Sequence, residues 1–173
     1  MDKVRRTKHQ AKQQDITMKT ASLKEIKSEI NLLSHAKTVE LCIKLIKYKK
    51  ENKELLSYLL FEASDEQFYI KEVKSQIDIE FENMNMSNLY LAKKTIRKVL
   101  RTSNKYIKYS GLKQTEVEIL IHFCKNIKDS GISLDRNKAL FNLYHRQIER
   151  INKALSTLHE DLQYDYTFEI EEL

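Results

Sequence analysis

Residues Lys105–Ile132 read KYIKYSGLKQTEVEILIHFCKNIKDSGI, and they decide the fold. The pattern K-x-I-K-x-S-G occurs twice, at 105–111 and 125–131, each time followed by an aliphatic residue, Leu112 or Ile132. A glycine just past a helix can take the left-handed conformation, the next aliphatic packs back on the last turn, and lysines there complement the negative helix end. Gly111 and Gly131 are the only glycines, and there is no proline. Hairpin-rich folds draw on both residue types for their turns, so the chain is expected to be all-α. Between the two glycines Val117, Leu120, Ile121, Cys124 and Ile127 form an apolar stripe that Thr115–Glu118 would cap. That helix is expected to lie centrally.

Upstream, Leu89–Ser110 is predicted to be one helix with two unlike sides. Leu89, Ala92, Ile96, Val99, Leu100, Ser103 and Ile107 fall on one side at about 100° per residue. Lys94, Arg97, Lys98, Arg101, Lys105 and Lys108 fall on the other, a basic ridge about 21 Å long at 1.5 Å per residue. Residues 87–113 carry eight Lys and Arg and no acid, so nothing on the ridge's own helix offsets it. An outside anion or a neighbouring acidic helix must do so. Residues 61–86, with seven acids against two lysines, offer Glu66, Glu72, Glu80 and Glu82.

Further out, Ser22–Glu25 fits a capping box opening a short helix through Ile26, Ile30 and Leu33. A second helix is expected from about Ala36 to Lys50, with Val39, Cys42, Ile43 and Ile46 on one face, Leu41, Leu45 and Tyr48 on another, and both faces covered. A third runs to Ala63. Ser64–Gln67 offers the next capping box, for a helix whose Ile70, Val73, Ile77, Phe81 and Met84 line one face until a break at Asn83–Asn88. Last, Phe141, Tyr144, Ile148, Ile151, Leu155, Leu158 and Leu162 alternate three and four apart, which predicts one long helix from Asp135 to Asp165, about 45 Å in length. Such a seam packs along the domain's own helices or presents Tyr144, Ile148, Ile151, Leu155 and Leu158 to a protein partner. The expected organisation is a basic flexible arm over residues 1–18, one helical domain over 19–166, and an acidic tail over 167–173. Six to seven antiparallel helices would form a bundle or a HEAT-like stack. The stretches Leu45–Glu62 and Tyr144–Tyr166 resemble an all-helical family of unassigned function, which implies the helical fold and no site.

Composition narrows the functional classes. The 173 residues carry 31 Lys and Arg against 25 Asp and Glu, a net charge of +6 that favours anionic partners. Cys42 and Cys124 each sit in an apolar run and read as two buried thiols, which suits a cytoplasmic protein. No apolar run is long enough for a membrane span. With both glycines at helix ends, none remains for a phosphate-cradling loop. His9, His35, His122, His145 and His159 show no i, i+3 or i, i+4 pairing, so no metal site is expected. Glu51-x-x-Glu54 and Glu62-x-x-Asp65 look like the acidic pairs of helical nucleotide pyrophosphatases, but on one helix they would lie about 16 Å apart, too far for one magnesium cluster. No enzymatic activity and no cofactor are expected. The leading expectation is an interaction module that docks nucleic acid through the ridge, with Arg5, Arg6 and Lys8 as an accessory and Tyr90, Tyr106 or Tyr109 free to stack on bases. The alternative is a protein scaffold built on the C-terminal seam.

Overall fold

A computed structural model describes residues 19–173, and it divides into two compact units between Leu45 and Ile46. The first holds α1 (Leu23–Asn31) and most of α2 (His35–Tyr48). Ser22 opens α1 as the sequence predicts: its hydroxyl accepts from the Glu25 N–H at 3.3 Å, and the Glu25 carboxylate accepts from the Ser22 N–H at 2.7 Å. Neither helix contains a buried residue, so the expectation that α2 is covered on two faces is corrected. Cys42 is exposed rather than buried for the same reason. Apolar spacing names the face a helix can bury; a neighbour must still arrive to bury it.

In the second unit come α3 (Lys50–Ser57), a π-helical turn (Tyr58–Glu62), α4 (Glu66–Glu82), α5 (Leu89–Ser110), α6 (Lys113–Asp129), α7 (Lys138–Leu155) and α8 (Glu160–Glu171). The described residues thus form eight α-helices, not six or seven. In the π turn the Ala63 N–H donates to the Tyr58 carbonyl, five residues back, at 2.9 Å. Asp65, not Ser64, caps α4, its carboxylate accepting from the Phe68 N–H at 3.0 Å. Asn88 caps α5 by accepting from Tyr90 and Leu91. Gly111 and Gly131 adopt φ of 70° and 72°, the left-handed geometry their position demands.

Two helix boundaries differ from the sequence reading. α6 begins at Lys113, so Thr115 is not a cap but a buried first-turn residue whose hydroxyl donates to Glu66. The same carboxylate accepts from Ser110 at 2.5 Å and Tyr58 at 2.7 Å, which ties the π turn, the end of α5 and the start of α6 together. The long C-terminal helix breaks after Leu155. There the hydroxyls of Ser156 and Thr157 turn back to the carbonyls of Lys153 and Ala154 (3.0 and 2.6 Å), and His159 caps a new helix. α8 returns along α7, bringing the Leu173 carbonyl to the Tyr144 hydroxyl at 2.6 Å. The apolar alternation survives the break because both halves press on the same core. The acidic tail therefore belongs to α8, with Ile170 and Leu173 packed on that core.

α6 is the centre. Val117, Ile119, Leu120, Phe123, Cys124 and Ile127 are fully enclosed. α4, α5 and α7 pack against α6, and α8 joins them through Tyr166, which donates to Glu118 at 2.8 Å. The contacts of α4 with α6 run in step (Lys74 to Glu118, Asp78 to His122 and Asn126), so these two helices are parallel. α5 and α7 run the other way. Among the described residues no helix is long and apolar enough to cross a membrane.

Candidate nucleic-acid interface

α5 buries Ala92, Ile96, Val99, Ser103 and Ile107 against α6 and its neighbours, so its opposite side must carry the cations outward. The core fixes the ridge's orientation. Around the helix, however, the cations meet two different environments.

Toward α4 and α3 they are neutralised. Lys98 donates to both oxygens of Glu80 at 2.8 and 2.9 Å, and Lys105 reaches Glu54 on α3 at 2.6 Å. Lys105 also lies over the rings of Tyr106 and Tyr109, at 4.9 and 6.0 Å from their centroids, a cation–π seat that holds it down. Its hydrogen bond keeps the Glu54 carboxyl below the ordinary glutamate range despite partial burial. Glu54 accepts from Tyr109 as well, at 3.0 Å, so this member of the acidic pair serves as a counter-ion. Glu66, offered by the sequence as another ridge partner, instead takes the hydroxyls of Tyr58, Ser110 and Thr115.

Toward α7 the cations are bare. Lys94, Arg97, Arg101 and Lys108 are exposed, and no carboxylate among the described residues lies in ion-pair range of any of them. Beneath this flank the Arg150 guanidinium from α7 donates to Glu116 at 2.6 Å and to Asn104 of α5, bridging α7 to α6 and α5. Burial acts to raise the Glu116 carboxyl, but Lys113 and Arg150 outweigh it and hold it below its usual value. On the opposite side of α6, burial of Glu118 is outweighed in the same way by Lys74, Tyr166 and Gln114.

The tyrosines divide likewise. Tyr106 donates to Gln76 at 2.9 Å and Tyr109 to Glu54, with their rings edge to face, so neither is free to stack on a base. Tyr90 stays exposed, at the start of the ridge. Arg5, Arg6 and Lys8 lie outside the described residues.

The C-terminal seam faces inward. Tyr144 and Ile151 are buried, and Ile148, Leu155 and Leu158 pack against the same core. His122 meets Asp78 at 2.6 Å, and Asn126 donates to the same carboxylate oxygen at 3.0 Å. Among the described residues no group of three or more His, Cys, Asp or Glu gathers as a metal site requires. Sequence spacing alone did not single out Arg146 and Lys153, two further exposed cations of α7. Their signal is visible only once Asn104 and Arg150 are seen to join the two helices. Comparison with protein-family models, curated proteins and solved structures finds no match.

Proposed function

We propose that the chain is a non-enzymatic interaction module that docks nucleic acid, alone or within a ribonucleoprotein, by gripping phosphates with α5. One observation carries this reading: Lys94, Arg97, Arg101 and Lys108 stand exposed along one flank with no carboxylate to neutralise them, while Lys98 and Lys105 on the other flank are paired. Unneutralised cations this close repel one another, so the fold maintains a positive potential that an external polyanion relieves with release of counterions. Arg5, Arg6 and Lys8 add charge of the same sign. The scaffold alternative has less support, because Tyr144 and Ile151 of its seam are already spent on the core.

Fluorescence anisotropy with a labelled nucleic acid at about 50 and 200 mM salt tests the reading. Each phosphate contact contributes a slope of about −0.9 in log K against log salt on duplex and about −0.7 on a single strand. Binding that weakens steeply with salt, and less steeply once Lys94, Arg97 and Arg101 are changed to Gln, is the expected result. No binding at 50 mM would overturn it.

A further inference from the structure

Resting on that reading, we infer that the nucleic acid is double-stranded, and that its two phosphate rows are held by two helices, α5 and α7, acting side by side. α7 is antiparallel to α6, as α5 is, so α5 and α7 point the same way. Their register is fixed where Arg150 meets Asn104. Counting from that contact, Arg146 of α7 stands across from Arg101 of α5, and Lys153 stands across from Lys108. Each pair is offset by about one residue. The two rungs are seven residues apart on both helices, about 10 Å at 1.5 Å per residue. Arg97 extends the α5 row by one more turn.

Side-chain direction agrees. At about 100° per residue Arg146 and Lys153 fall within about 60° of Arg150, on the flank of α7 that borders α5. Both are exposed, and neither has a carboxylate partner among the described residues; the Arg146 Nε donates only to the Asn142 carbonyl. Glu149 is the one acid beside them, on the outer edge of the same strip and outside ion-pair distance. The flank of α7 away from α5 is occupied, since Ile148 and Leu155 pack inward and Tyr144 reaches α8. Of the α7 cations, Arg146, Arg150 and Lys153 therefore lie on the side of the α5 row, and Lys138 at the start of the helix lies off it.

Two parallel rows of cations, carried by helices that both pack on α6 and meet through Arg150 and Asn104, match a ligand with two rows of phosphates. A single strand presents one row, and proteins that bind it add exposed aromatic platforms for the unstacked bases. Here Tyr106 and Tyr109 are tied down by Gln76 and Glu54, which removes two of the three platforms on α5. Asn104, the amide side chain at the junction of the two helices, is engaged by Arg150, and the proposed contact is to backbone and is indifferent to sequence.

The test is competition anisotropy with the full chain, using a labelled 20-base-pair duplex and its isolated strand as probes, on the wild type and on the double variant Arg146→Gln, Lys153→Gln. The duplex is expected to bind about tenfold tighter. The α7 double variant is expected to make its salt slope shallower by about 1.8, two contacts at 0.9 each, while strand binding by the α5 row is unchanged. Circular dichroism confirms that both exposed substitutions leave the helices intact. Equal or tighter binding of the strand, or a duplex slope the α7 variant does not move, would overturn the two-row arrangement and leave the α5 reading standing. Failure of both probes to bind would remove the α5 reading itself.

Discussion

α5 and α6 are consecutive helices joined through Gly111 and Leu112, yet they use their charged residues in opposite ways. α6 is enclosed on nearly every side, and its Glu116 and Glu118 each sit at a seam between outer helices, fully engaged by Arg150 and Lys113 on one side and by Lys74 and Tyr166 on the other. α5 is enclosed on one side only, and five of its seven cations, Lys93, Lys94, Arg97, Arg101 and Lys108, pair with no carboxylate among the described residues. A charge beside the core is retained because it is satisfied there; a charge on a one-sided helix is free to act on something outside.

The sharpest way to break that contrast is at the core that both helices share. Ile151 on α7 is fully buried. Ile151→Asp places an uncompensated carboxylate there and is expected to destabilise the second unit by about 4 kcal/mol or more, seen as loss of cooperative melting by circular dichroism. A folded variant that merely lost a binding partner would return the seam to the scaffold reading.

Next comes the seam carboxylate. Glu118→Ala leaves Lys74 and Tyr166 without their acceptor and is expected to cost about 1.5–3 kcal/mol, measured by urea unfolding. The same groups set a pH dependence. Glu54, Glu116 and Glu118 are all held below the ordinary range in the folded chain. Their contribution is complete above the unfolded carboxyl value of about 4.3 and is lost as pH falls through the lower folded values. The melting temperature should therefore fall on acidification below about pH 5, and Glu118→Gln should flatten part of that fall.

The smallest effect on stability belongs to the bare flank. Changing Lys94, Arg97 and Arg101 to Gln is expected to move unfolding by no more than about 0.5 kcal/mol per site, or to stabilise slightly by relieving repulsion, while the salt slope of duplex binding drops by about 2.7. A large loss of stability would show that these cations hold the fold together after all.

Much of this was legible in the sequence, and the exceptions share a cause. Gly111, Gly131, Asn88 and Ser22 mark helix ends through their own backbone chemistry, so their roles survive folding unchanged. The Ile70–Met84 stripe and the centrality of α6 follow from apolar spacing, and the structure buries those side chains, with Phe81 half-buried against the core. Partnership was not legible. Nothing in the spacing of Lys105 reveals that Glu54, far away in sequence, will neutralise it, or that Ser156 and Thr157 will end a helix whose apolar alternation continues past them. Thr115 shows the same limit, since a hydroxyl that could cap its own helix instead finds Glu66 on another.

The two thiols give the molecule a built-in pair of chemical reporters. Cys124 lies inside the core, and loss of hydration pushes its thiol up to about 12, so almost no thiolate forms at neutral pH. Cys42 is exposed. A maleimide dye added to the native protein should attach at Cys42 alone, which supplies a single-site fluorophore without mutagenesis. Alkylation of Cys124 then requires the helices around α6 to part, and its rate under increasing denaturant reads how often they do.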